Sequence, residues 1–235
     1  MRINKYLASC ELGSRRKVEE FILKGDVSVN GQKVTELGYD VKDADIVKYK
    51  GKEVHPQTNK VYIMLNKPKC YITSKSDEKD RRIVMDLVKS CKEEVFPVGR
   101  LDYNTEGLLL LTNDGEWANN ITHPSKNISK TYEVKTKYAV TKKQVKELTN
   151  GIVIDDKRTL PAVVELMGQD GDFFVTHITI FEGRNREVRK MFEAINLKIY
   201  NLKRLSIGAL ELDDLQMGKF RYLNKNEINL VFVEK

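Results

Sequence analysis

The stretch Gly99-Arg100-Leu101-Asp102-Tyr103-Asn104-Thr105-Glu106-Gly107-Leu108-Leu109-Leu110-Leu111 runs from a polar loop straight into an unbroken apolar segment. Consecutive leucines between Gly107 and the turn Asn113-Asp114-Gly115 predict a strand buried on both faces, because a strand with one wet face would alternate. A loop anchored on so rigid a strand is where reactive side chains tend to be held. Taken bare, an Asp-x-Asn segment between glycines is an ordinary turn whose aspartate caps a neighbour. Arg100, two residues ahead of Asp102, and the buried strand directly behind set this loop apart. Glu106 would suit a carboxylate pair with Asp102 of the kind glycosidases use. Nothing in the spacing makes the two converge, and Glu106 is read as a loop or surface residue.

Downstream, Asp114 is placed to cap a helix carrying Trp117, Ala118 and Ile121 on one side. Lys130 to Lys135 alternates, with Tyr132 and Val134 on one face, and Phe173 to Phe181 is a second alternating strand. Tyr132 suits a core position as readily as a catalytic one. The segment Glu182-Gly183-Arg184-Asn185-Arg186-Glu187-Val188-Arg189-Lys190 is dense in cations and opens a helix over Arg186–Ile195. Val188, Met191, Phe192 and Ile195 form its apolar stripe. At about 100° per residue Arg189 lies beside that stripe and Arg186 points almost opposite. Arg189 is therefore expected to reach inward to a carboxylate, leaving Arg184 and Arg186 free for phosphates.

Upstream, Val61 to Leu65 reads as a strand ended by Asn66-Lys67-Pro68, and Asp80 to Leu87 as a short helix or turn. The polar stretch before it reads as a linker. This divides the chain into a small module at 1–48, a linker at 49–60 and a larger domain at 61–235. In the module, Ser14 is the N-cap of a helix carrying Val18, Phe21 and Ile22, and Gly25 stops it. Val27 and Val29 then alternate up to Asn30-Gly31, a strong hairpin signal. Arg2, Lys5, Arg15, Arg16 and Lys17 crowd the helical part of this unit. Strands outnumber helices, so the fold class is α+β.

The 235 residues suffice for a small module and a catalytic domain, and 41 lysines and arginines against 34 acids give a net charge of +7. That balance favours a polyanionic partner, although an anionic membrane surface or simple solubility would be served equally. No apolar run approaches the ~20 residues of a membrane span. The first residues lack the apolar stretch of a secretory signal, so a cytoplasmic location is expected. Cys10, Cys70 and Cys91 are odd in number and widely spaced, and the histidines lie far from them. Neither a disulfide framework nor a metal site is expected.

These segments together resemble the RsuA/RluB family of ribosomal RNA pseudouridine synthases. The resemblance is carried by Phe96-Pro97-Val98-Gly99-Arg100-Leu101-Asp102, the run from Gly107 to Gly115, Lys130-Thr131-Tyr132 and Glu182 through Phe192. Leu202-Lys203-Arg204, Ile207-Gly208 and Gly218-Lys219-Phe220-Arg221-Tyr222-Leu223 extend it. It implies an S4-type RNA-binding module of helices and a hairpin, followed by a mixed, largely antiparallel sheet domain with a central cleft. It further implies conversion of a ribosomal RNA uridine to pseudouridine without cofactor or metal. Asp102 falls on the family's catalytic aspartate, acting as nucleophile or base. Arg100 falls on the arginine that helps extrude the base, Tyr132 on the tyrosine that stacks on it, and Arg189 on the basic partner of the aspartate, with Arg184 second for that role. Arg184, Arg186 and the cations of the first module are expected to bind RNA.

The 182–189 segment is similar to the large-subunit branch of the family. Asp114-Gly115-Glu116-Trp117 and Lys130-Thr131-Tyr132 lean to the small-subunit branch, and large-subunit RNA is favoured. A non-catalytic RNA-binding assembly factor and a nucleoside glycosidase are the competing readings. Surface patterning reads as monomeric, with ribosomal RNA or a subunit precursor as the partner.

Overall fold

The structure, a computed structural model, describes residues 1–234 and forms two compact units. One comprises Met1–Lys60 with Asn113–Gly115, the other Val61–Thr112 with the chain from Glu116 onward.

In the first unit, α1 (Ile3–Ser9) and α2 (Arg15–Leu23) pack on a sheet of β1 (Val27–Val29), β2 (Gln32–Lys33), β3 (Val47–Tyr49) and β4 (Lys52–Glu53), in the order β2-β1-β3-β4. The Ser14 side chain accepts from the Lys17 backbone N–H, as an N-cap should. Val29 pairs with Gln32 across Asn30-Gly31, both at positive φ, which is the two-residue hairpin turn that Asn-Gly favours. Ile3, Leu7, Val18, Ile22, Val27 and Val47 are core residues of this unit. Helix α1 carries no recognisable start signal, because Arg2 in front of it supplies no side-chain cap.

The stretch read as a linker needs correction. Tyr49 pairs with Lys52 around Lys50-Gly51, both at positive φ, and the Tyr6 hydroxyl donates to the Val54 carbonyl at 3.1 Å. The same turn chemistry operates at both hairpins, but Lys in the place of Asn concealed the second.

The second unit is built on one large sheet. Its strands are β5 (Tyr62–Lys67), β6 (Phe96–Val98), β7 (Glu106–Thr112), β8 (Lys130–Thr136), β11 (Val163–Asp170), β12 (Phe173–Ile180), β13 (Ile199–Ile207), β14 (Leu210–Glu211) and β15 (Phe220–Tyr222), with β9 (Val153–Ile154) and β10 (Lys157–Arg158) as a separate hairpin. The order is β11-β12-β8-β13-β7-β5-β15, with β14 on β13 and β6 on β7. Among the described strands only β7 and β13 pair in parallel, so the sheet is mixed and largely antiparallel.

The leucine run is β7, and its burial on both faces has a simple cause. Leu109 and Leu111 join Ile63, Leu65, Val134 and Ile178 in one core layer, on which α4 (Lys142–Thr149) and α5 (Glu187–Ala194) place Leu148 and Phe192. Leu108 and Leu110 face the other way, into a layer with Met64, Ile207 and the Trp117, Ala118 and Ile121 of α3 (Gly115–Thr122). At the C-terminal end, α6 (Lys225–Leu230) has Asn224 and Glu227 as its capping box. Gly107 lies at φ +104°, and a Cβ there would stand 2.3 Å from the Arg204 carbonyl oxygen. Glycine at that point is what lets β7 and β13 register side by side. Asp80–Leu87 is irregular except for a 3-10 turn over Val84–Val88.

Candidate active site

The loop between β6 and β7 carries Asp102, and three polar anchors fix it from below. Lys67, at the end of β5, is fully buried, and its ammonium donates to the carbonyls of Pro68, Asp102 and Thr105 at 3.0, 3.1 and 2.8 Å. Burial pushes this lysine down to about 8, although Asp102, Cys70 and Glu106 pull the other way. Thr73 brackets Leu101, its hydroxyl donating to the Leu101 carbonyl at 2.7 Å and standing 3.2 Å from the Leu101 N–H. The Thr105 N–H closes the turn on the Asp102 carbonyl at 3.0 Å. The Asp102 carbonyl thus accepts from both Lys67 and Thr105, and its carboxylate is left 31% exposed in a cleft.

Two arginines face that carboxylate. Arg189 Nε and Arg186 Nη1 each lie 3.9 Å from Asp102 Oδ2. Arg189, 17% exposed in its side chain, also donates to the Asn104 carbonyl at 2.8 Å and to Thr105 Oγ1 at 3.2 Å. It thus grips the loop as well as the acid, and burial lowers its affinity for the proton. Arg186 was expected to point away. It does not, because the helix begins one residue later and Arg186 precedes it in a left-handed conformation (φ 54°, ψ 32°), which redirects its 52%-exposed side chain towards Asp102.

Arg184 is a second correction. Its guanidinium donates to the carbonyls of Lys157 and Ile154, so it fastens the β9–β10 hairpin and is not free for phosphates. Glu106 is a third: it is buried on β7 and accepts from Asn201 Nδ2 at 2.8 Å. Behind Arg184, the buried Glu187 accepts from its backbone N–H at 2.8 Å, and desolvation pushes that carboxyl up to about 7.

The cleft has a volume of about 360 Å³, within the usual range for small-molecule sites, and Arg100, Asp102, Lys130, Tyr132, Arg189 and Arg204 are among its lining residues. Arg100 is exposed. Tyr132 on β8 is 8% exposed, belonging to the core layer and the cleft wall at once. Lys67, Lys130 and Arg204 were missed as site residues by residue-level reading. A signal existed for two of them: Lys67 follows Ile63 and Leu65 at period two, and Arg204 follows Leu202, so each charge occupies an inward position of its strand.

On the first unit, Arg15 and Arg16 are exposed and make no ion pair among the described residues. Lys17 pairs with Glu20 at 2.8 Å. Arg2, expected among the RNA-binding cations, is engaged by the Gly38 carbonyl and lies 3.7 Å from Asp40. Lys5 is exposed on α1 but not without a partner.

A carboxylate faced by guanidiniums, in a cleft that an aromatic ring also lines, suits chemistry at a sugar carbon beneath a planar base. The sequence model of the RNA pseudouridylate synthase family matches residues 61–194, and that of the S4 domain matches residues 1–47. The chain belongs to the RNA pseudouridylate synthase family. It is 44% identical over 234 residues to an uncharacterized RNA pseudouridine synthase of Aquifex aeolicus, covering 99% of this chain and 94% of that one. It is 42% identical to the ribosomal large subunit pseudouridine synthase B of Bacillus subtilis, covering 97% and 93%. A solved pseudouridylate synthase superposes with a TM-score of 0.70 at 28% identity, over 98% of this chain and 99% of that one.

The enzyme is thus an isomerase acting on uridine in RNA. It breaks the C1′–N1 bond, turns the uracil and joins C5 to C1′, with no net redox change. No helix among the described residues is long and apolar enough to cross a membrane.

Proposed function

We propose that this chain isomerises a uridine of large-subunit ribosomal RNA in the cytoplasm, with Asp102 as the catalytic carboxylate. The observation that carries this reading is Asp102 in the cleft, its Oδ2 3.9 Å from Arg189 Nε and its backbone pinned by Lys67. The name of the Bacillus subtilis relative supports the choice of subunit.

Asp102 acts on the sugar of the flipped nucleotide as nucleophile or base. Arg189 positions it. Tyr132 stacks on the extruded uracil, and Arg100 at the exposed rim assists extrusion, offsetting the few kcal/mol that unstacking costs. Arg186 reaches both the carboxylate and the incoming backbone. The unit Met1–Lys60 docks structured RNA through Arg15 and Arg16, aided by Lys5 and Lys17, while the chain from Val61 carries out the reaction.

The test is Asp102→Asn, with pseudouridine mapped across ribosomal RNA from cells carrying either form. One large-subunit uridine should stay unmodified in the variant, and RNA affinity should change less than about threefold, since a neutral isostere leaves phosphate contacts intact. Full modification by the variant removes Asp102 from the chemistry, and loss confined to small-subunit RNA redirects the substrate.

A further inference from the structure

We propose that Arg204, seconded by Lys130, binds a carbonyl oxygen of the flipped uracil and takes up the negative charge that moves onto the base as the C1′–N1 bond breaks. This rests on the reading of Asp102 and Tyr132 given above and adds a catalytic group on the base side of the bond.

Arg204 is only 4% exposed, yet it lines the cleft and makes no ion pair among the described residues. Its Nε donates to the Leu108 carbonyl at 2.7 Å, and its Nη1 lies 3.5 Å from the Tyr132 hydroxyl. The guanidinium carbon stands 6.0 Å from the centre of the Tyr132 ring. Its Nη2 is buried and finds no hydrogen-bond partner among the described residues. A buried cation with an idle donor is unfavourable until a water or a ligand atom completes it, and a uracil oxygen in the cleft would do so.

A second cation compounds the cost. Lys130 also lines the cleft, and its ammonium donates to the Ile128 carbonyl at 2.7 Å and to no other acceptor among the described residues. Burial and the nearby Arg204 push it down to about 8, and the carboxyl that opposes this, Glu187, is itself pushed up by burial. Two donor-only groups therefore line the same cleft, and Arg204 lies beside Tyr132.

That chemistry fits uracil and its leaving anion. A guanidinium offers only donors, and the uracil edge offers the O2 and O4 acceptors, whereas cytosine presents an amino group at C4. When the C1′–N1 bond breaks, its electron pair passes to the ring and spreads over N1, O2 and O4. Once C5 has joined C1′, the C5 proton is lost and N1 is protonated, so uridine and product balance atom for atom. A cation fixed in advance beside O2 or O4 stabilises the intermediate stage more than the neutral base. A backbone phosphate seated on Arg204 is the rival occupant.

The test uses the full-length enzyme and the mapped RNA segment carrying uridine, 2-thiouridine or 4-thiouridine at the target, under single-turnover conditions. Sulfur is the poorer acceptor, and the wild type should isomerise one of the two analogues about tenfold more slowly than uridine. Arg204→Met should slow uridine about 100-fold, leave RNA affinity unchanged and abolish the sulfur effect. Arg204→Lys should recover part of the rate, and Lys130→Met should show a smaller loss. Equal rates for all three substrates with the wild type overturn the proposal even if Arg204→Met fails to fold. A sulfur penalty that persists in a folded Arg204→Met overturns it too, and loss of RNA affinity instead of rate assigns Arg204 to phosphate. A wild type that forms no pseudouridine at all refutes the underlying function as well.

Discussion

The buried ammonium of Lys67 sits directly beneath Asp102, donating to its carbonyl at 3.1 Å and to the Thr105 carbonyl at 2.8 Å. The acid is thus positioned through its backbone by one strand and through its side-chain environment by a helix. A cation with three carbonyl acceptors replaces in one residue what would otherwise be several separate loop contacts.

Lys67→Met tests that anchor. Removing the ammonium leaves buried carbonyls unpaired but also relieves the cost of burying a charge. Stability should fall by only about 2 kcal/mol in urea unfolding. Activity should fall much further, at least tenfold in single turnover, because the acid is no longer held in place. Equal proportional loss of both would make Lys67 a general core residue.

Arg189 and Arg186 stand equally far from Asp102 and should behave differently. Arg189→Lys loses the planar group whose Nε faces Asp102 while its Nη2 holds Asn104 and Thr105, so kcat should drop roughly 10- to 100-fold with RNA affinity intact. Arg186→Gln removes a half-exposed cation and should chiefly raise the RNA Kd. Single-turnover rates paired with equilibrium binding distinguish the two.

Salt dependence separates free cations from engaged ones on the first unit. For every phosphate that a variant no longer neutralises, the slope of log K against log salt falls in magnitude by about 0.7 to 0.9. Arg15→Gln and Arg16→Gln should each do so in full-length protein. Arg2→Gln should leave the slope unchanged, because Gly38 and Asp40 already occupy that guanidinium.

Burial of Glu187 should give the fold a pH dependence whose sign follows from the direction of its shift. Its folded carboxyl is raised by burial to about 7, above the roughly 4.3 of an unfolded chain. Between those values the native state holds a proton that the unfolded state has lost, so stability falls as pH rises through this window. Glu187→Gln should flatten the slope, a difference on the order of 2 kcal/mol between pH 5 and pH 8 in urea midpoints. An unchanged slope would place the titration elsewhere.

The order of segments was legible in the sequence because it depends on local chemistry. Ser14 and Gly25 bound α2, Asn30-Gly31 turns the first hairpin, and Val188, Met191 and Phe192 fix the inner face of α5. The leucine run could be read as doubly buried because alternation is absent only when both faces are covered. β13, the central strand, passed unnoticed at residue level, since its inward positions include Arg204 and Ser206 and break the apolar pattern.

What only the tertiary structure decided is the partnership of charges. Whether Arg184 serves a hairpin, Arg186 turns to Asp102 or Lys67 supports the loop depends on backbone carbonyls remote in sequence and on one left-handed residue before α5. Hydrophobic period is a property of neighbours along the chain and survives in a string of letters. A buried cation acquires its purpose only when folding brings distant acceptors within about 3 Å of it, and no spacing along the sequence encodes that distance.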